Sequence, residues 1–131
     1  MSNTTQVLIQ FKNALTTFLD ELINQFPEEG DLIMFRIFIK DRIPILDIMN
    51  LFILSLLPKK KMIVDKDENY FLNHCDLLEM NGKQNKSKVN KFKKIWRSGR
   101  LDNEDKMVIW KWFESFIYLA EKYQKCLEKN S

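Results

Sequence analysis

The chain has 131 residues, 45 % of them hydrophobic and 12 % aromatic, and its 21 basic and 18 acidic side chains give a formal charge of +3. That length suits a single domain, 1–131, burying roughly two-thirds of its unfolded surface; ten Phe, three Trp and three Tyr exclude a chain too polar to fold. Eight of the basic residues fall between Lys83 and Arg100 with no acid among them, so a +8 segment is carried on a −5 body.

Asn3, Thr4 or Thr5 can cap a first helix in which Leu8, Phe11, Leu15, Phe18 and Leu22 step by three and four, the period of one buried face. Ile9, Leu19, Ile23 and Phe26 widen that stripe, and Phe26-Pro27 ends it, because a residue before proline avoids the helical region. Glu28, Glu29 and Asp31 form a turn whose acids suit the start of the next helix, more simply a helix start than a catalytic pair. That helix is predicted from Asp31 to Arg42 with Leu32, Phe35, Phe38 and Ile39 inward. Pro44 then breaks the chain or opens the next helix.

Ile45 to Leu57 is apolar nearly all round, which predicts a central helix with the others packed about it. It is too short for a membrane span of about 20 residues and holds Asp47, Asn50 and Ser55. Extension back to Leu32 would place Arg36, Lys40, Asp41 and Arg42 in lipid at about 2.5–3.5 kcal/mol each, so no transmembrane segment is expected. Pro58 stops this helix, and Lys59, Lys60 and Lys61 should form an exposed basic corner at its end, where the dipole favours positive charge. Asp65 can cap a fourth helix carrying Tyr70, Phe71, Leu77, Leu78 and Met80 and ended by Asn81-Gly82.

Val89, Phe92 and Trp96 recur at helical spacing with Ile95 beside them, while Lys86, Lys91, Lys93, Lys94 and Arg97 cover the opposite face. The segment 83–100 is thus a basic amphipathic stretch with its aromatics in the core, a charged face and not a stacking platform. Ser98-Gly99-Arg100 breaks it, and Asp102 can cap the last helix, with Asn103, Glu104 and Asp105 in its first turn. Its stripe is Ile109, Trp112, Phe113, Phe116, Leu119, Ala120, Tyr123 and Leu127, flanked by Trp110 and Ile117. Glu121 and Lys125 are spaced as a surface pair, and residues 128–131 read as a disordered tail. The fold class expected is all-α: a compact single-domain bundle of five or six helices around an apolar central helix.

Little site chemistry is legible. Adjacent helical residues point about 100° apart, so His74-Cys75-Asp76 cannot converge as nucleophile, base and orienter. Cys75 and Cys126 have no metal-ligand spacing and read as buried free thiols, while Asp65, Asp67 and Glu68 lack the glycine and later glutamate of a calcium loop. Three glycines leave no nucleotide loop or nucleophile elbow. No enzyme, cofactor or metal is therefore expected. MSNTTQ has no basic, then apolar, signal region, which points to an intracellular, non-secreted protein.

Three stretches carry a family likeness: Phe11 to Asp31 (FKNALTTFLDELINQFPEEGD), Lys66 to Leu72 (KDENYFL), and Ile95-Trp96 with Lys106 to Tyr123 (KMVIWKWFESFIYLAEKY). On them the chain resembles a group of small uncharacterised proteins of nucleocytoplasmic large DNA viruses, of the phycodnavirus and mimivirus kind. The resemblance implies a viral origin, a helical domain, and a place in the cytoplasm or nucleus of an infected cell or in the virion. It supplies no functional residues.

The leading expectation is a non-enzymatic interaction protein whose partner is a viral or host protein or a further copy of itself. The alternative is a nucleic-acid-associated factor using Lys83, Lys86, Lys88, Lys91, Lys93, Lys94, Arg97 and Arg100 as phosphate contacts. Lysine predominates there over arginine, which argues against base-specific readout, and docking on an anionic membrane surface ranks below both. A third reading, loosely fitted by Ile45 to Leu57, holds a host amphipathic helix in a groove.

Overall fold

A period of 3.6 residues laid over α1 (Asn3–Gln25) gathers Val7, Phe11, Leu15, Phe18 and Leu22 on one side, and in the computed structural model these residues, with Leu19, are buried. The structure describes residues 3–73, 96–97 and 99–130, and among them there are helices and turns but no strand. The fold is all-α. The second half of the fourth expected helix, with Leu77, Leu78, Met80 and Asn81-Gly82, lies outside the described residues, as do His74, Cys75, Val89, Phe92 and Ile95.

The long last helix, here α6 (Asn103–Asn130), runs antiparallel to α1. Gln25 Nε2 donates to Asp105 Oδ2 at 3.1 Å and Trp112 Nε1 to Glu21 Oε2 at 2.8 Å, so the end of one helix meets the start of the other. Phe11, Phe18, Phe52 and Phe116 form the centre of the core, with ring centroids 4.9–6.1 Å apart and mostly edge-to-face. Each such pair contributes about 0.5–1.5 kcal/mol beyond the area it buries. Asp102 and Asp105 cap α6 reciprocally: the Asp105 N–H donates to Asp102 Oδ1 at 2.8 Å and the Asp102 N–H to Asp105 Oδ2 at 3.2 Å, a capping box built from two aspartates.

Of the expected stripe of α6, Ile109, Phe113, Phe116, Leu119, Ala120 and Tyr123 are buried, with Trp110 and Ile117 also inside. Trp112 is half-buried and Leu127 is exposed. Where the sequence suggests a tail, the helix continues through Asn130. On α1, Ile9 points outward although the widened stripe included it.

Helix α3 (Ile45–Ser55) supplies Phe52 to the aromatic centre and buries Ile48 and Met49, with Leu56 buried just past its end, yet Leu54 is 76 % exposed and Leu46 is exposed too. It packs one side onto α1 and α6. The core therefore lies between α1 and α6 with α3 closing it, and the near-continuous apolarity of α3 does not mark the middle of the bundle.

Helix α2 (Gly30–Ile37) passes into a wide π turn, Phe38–Arg42, closed by the Ile43 N–H donating to the Phe38 carbonyl at 2.8 Å. The chain must leave the helix there because Ile43 precedes Pro44 and is extended, at φ −107° and ψ 126°. Ile39 is buried, and Phe38 lies on the outer side instead of facing inward with Leu32 and Phe35.

The lysine corner is also rearranged. Pro58 sits in a 3-10 turn, Leu57–Lys59, leading into α4 (Lys60–Val64), whose Ile63 is fully buried. Lys59 is buried, its ammonium donating to the Ser55 carbonyl at 3.1 Å. The dipole argument holds for this residue, whose ammonium meets a carbonyl near the C-terminal end of α3. Lys60 contacts both carboxylate oxygens of Glu121, at 3.0 and 3.2 Å, taking the acid that sequence spacing assigned to Lys125. Helix α5 (Glu68–Asn73) is capped by Asp67, which accepts from the Tyr70 N–H at 3.3 Å, whereas Asp65 closes α4.

Candidate functional site

Three surfaces can carry contacts. The first is the described remainder of the basic segment. Trp96 is buried with its ring edge-on to Trp110, centroids 5.3 Å apart, and its indole N–H donates to Glu68. Lys106 is 3.1 Å from the same carboxylate and lies 5.6 Å over the Trp96 ring. As its helical spacing predicts, this aromatic is core and is unavailable for base stacking.

Arg97 is exposed. Arg100 follows Gly99, whose φ of +82° makes the turn. The Arg100 guanidinium stacks 4.4 Å above Phe26 and pairs with Glu28. That hydrogen bond, with a smaller contribution from a backbone bond at Glu28, holds the Glu28 carboxyl below the usual glutamate range against a weak opposing desolvation. A phosphate reaching Arg100 would compete with Glu28. The other candidate phosphate contacts, Lys83, Lys86, Lys88, Lys91, Lys93 and Lys94, lie outside the described residues.

The second surface is the outer face of α2 and its π turn. Ile33, Met34, Ile37 and Phe38 are 42, 51, 41 and 37 % exposed, and their spacing of one, four and five residues places them on a single helix face. On the opposite side Leu32, Phe35 and Ile39 pack toward α1, and Arg36 is tied to Asp20 of α1 by a salt bridge. Four neighbouring large apolar side chains expose on the order of 300–400 Å², the size of patch that on small proteins often marks a contact site.

The third surface is a cavity of about 330 Å³ between the first turns of α1 and the last turns of α6. Asn3, Gln6, Val7 and Gln10 line it from α1, and Lys122, Lys125, Cys126 and Lys129 from α6. Its charged lining residues are all cationic, which favours an anion over a cation. Cys126 is half-buried beside these lysines, not fully enclosed as the sequence suggests.

Sequence reasoning missed the second and third surfaces. The lysines at 122, 125 and 129 have one-face spacing but are interrupted by Glu121 and Glu128, and nothing local shows that Gln6 and Gln10 come to meet them. The inner side of α2 was read correctly at Leu32, Phe35 and Ile39, but Phe38 was read with it, and a helix apolar on both sides gives no signal that its outer side stays uncovered.

Among the described residues no helix is long and apolar enough to cross a membrane, and no three His, Cys, Asp or Glu side chains are grouped to hold a metal ion. No family model, curated protein or solved structure matches the chain.

Proposed function

We propose that this chain is a non-enzymatic helical interaction protein of viral origin, acting in a virion or an intracellular assembly through protein–protein contacts. The observation that carries the proposal is the exposed face Ile33, Met34, Ile37 and Phe38. Aromatic and methionine side chains of this kind are enriched at protein interfaces, and leaving them in water forfeits the gain of burying them. Support for the viral setting is confined to the family likeness of the three stretches described above. Support for a non-enzymatic role is the lack of any catalytic motif in the sequence.

Site-specific photo-crosslinking tests this directly. A photoreactive residue at Ile37 should give one dominant protein adduct in cells, whereas the same group at Lys111, an exposed polar position on α6, should give none. Equal scatter from both positions, or no adduct from either, would remove α2 as a docking face.

A second reading is favoured by the charge distribution: phosphate binding through 83–100, reinforced by the lysines of the α1/α6 cavity. Non-specific phosphate contact needs positive charge and no base-reading geometry. The sequence 83–100 and the lining of the cavity both supply that positive charge.

A further inference from the structure

We infer that the cavity between α1 and α6 binds a small organic phosphomonoester, a molecule with one phosphate head and a compact hydroxylated body, such as a sugar phosphate or a nucleoside monophosphate. The inference goes beyond both readings above, since in the second of them the cavity only lends its lysines to a strand. Two helix stripes of the same spacing form the site. Asn3, Gln6, Val7 and Gln10 on α1, and Lys122, Lys125, Cys126 and Lys129 on α6, each step by three, four and seven residues from the first, the spacing of one helix face. In each stripe the third member is the apolar one: Val7 is buried, and Cys126, a small hydrophobe, is half-buried against the core. The other six are exposed. The cavity thus has an apolar floor, a rim of amides on one side and a rim of ammonium groups on the other.

The lysines are not explained by their own helix. The field of a helix end acts within the last turn, and of the three only Lys129 lies there. Glu121, the acid spaced to pair with Lys125, is bound to Lys60 instead. Among the described residues Lys125 and Lys129 have no ion pair, and Lys122 has the Tyr118 ring, 6.0 Å away, as its contact. Nothing on the facing wall opposes an anion, because the first turn of α1 holds no acid.

The two rims select the ligand. A phosphomonoester carries a charge of about −1.5 to −2 near pH 7 and three acceptor oxygens, which suits three cations better than the single charge of a carboxylate. Amide side chains both donate and accept, so Asn3, Gln6 and Gln10 suit a body bearing hydroxyl groups. The volume of about 330 Å³ stands at the small end of the roughly 300–1,000 Å³ range of ligand pockets. A strand lying across the rim would meet the lysines and leave the floor unfilled.

The test is an NMR titration of the full chain with adenosine monophosphate, ribose phosphate, inorganic phosphate, adenosine and ribose, each up to about 10 mM. Alkylation of Cys126 by iodoacetamide, read by mass spectrometry, reports on the floor, and far-UV circular dichroism confirms that each variant folds. At least one of the two organic phosphates should shift the amide signals of Gln6, Gln10 and Lys125, slow the alkylation of Cys126, and bind about tenfold tighter than inorganic phosphate. Adenosine and ribose should do none of this. Lys122→Gln, Lys125→Gln and Lys129→Gln combined should weaken the organic phosphate about tenfold or more. Gln6→Ala with Gln10→Ala should bring it toward the affinity of inorganic phosphate while leaving the latter unchanged. Absence of both the shifts and the protection overturns the proposal, as does binding that survives loss of the three lysines. Inorganic phosphate binding as tightly as either organic one overturns the assigned class. Protection of Cys126 by an oligonucleotide unphosphorylated at its ends, with none from the small phosphates, also overturns it and returns the lysines to strand binding. None of these residues lies on α2, so the docking reading stands or falls by its own crosslinks.

Discussion

The Arg100 guanidinium touches two groups whose response to acid differs: the Phe26 ring, which does not titrate, and the Glu28 carboxylate, which does. Because Arg100 holds the Glu28 carboxyl below its usual range, the pair's contribution to stability is complete above the unfolded glutamate value and fades as pH falls through the lower folded one. Following the Glu28 side-chain carbon by NMR should therefore show protonation at lower pH in the wild type than in Arg100→Gln. Identical midpoints would mean that the pair does not persist in solution. The turn at Gly99 could be read from the sequence, but its partner could not, since seventy-odd positions separate Arg100 from Phe26 and Glu28. Lys59 was misjudged for a related reason: three lysines after a proline look solvated until the 3-10 turn aims the first of them along Ser55.

At the scale of elements, helix ends were the most legible features where a side chain makes the end by itself. Phe26-Pro27 stops α1 and Asp102 starts α6, both by local chemistry. Replacing Asp102 with alanine removes the acceptor for the Asp105 N–H and should cost about 1 kcal/mol, with a range of roughly 0.5–2. Urea unfolding will show this as a lower midpoint at unchanged slope, and serine at 102 should recover most of it. A loss under about 0.3 kcal/mol would mean that Gln25, already bound to Asp105, anchors this end instead. The faces of α1 and α6 were legible because polar residues mark their outer sides. In α2 the inward set Leu32, Phe35 and Ile39 was legible and Phe38 was not, while in α3 apolar side chains surround the axis and tertiary neighbours choose which are covered. The candidate interface on α2 occupies this ambiguity, since Phe38 is apolar like the core residues beside it and yet lies on the exposed outer face.

For the whole molecule, charge is separated more sharply than a net +3 suggests, with eight cations between Lys83 and Arg100 and three more around one cavity. The cations of 83–100 stand out in sequence because no acid interrupts them, whereas the cavity lysines need the antiparallel pairing of α1 and α6 to become one surface. The two make different demands on a polyanion. A long duplex or single strand can neutralise many lysines at once, and six or more phosphate contacts would lower affinity about 10³-fold or more between 50 and 200 mM salt. A 330 Å³ cavity with three lysines can meet only a few phosphates and should give a much shallower salt slope. Binding of the purified protein to labelled duplex DNA and single-stranded RNA should therefore be compared at these two salt concentrations. Two variants belong in the comparison: Lys91, Lys93, Lys94 and Arg97 changed to glutamine, and Lys122, Lys125 and Lys129 changed likewise. If phosphate binding belongs to 83–100, the first variant loses the steep slope and the second keeps it, and the reverse pattern assigns it to the cavity. Undetectable binding at 50 mM salt would end the phosphate reading, because electrostatic contact is strongest there and nothing in either lysine set supplies another source of affinity.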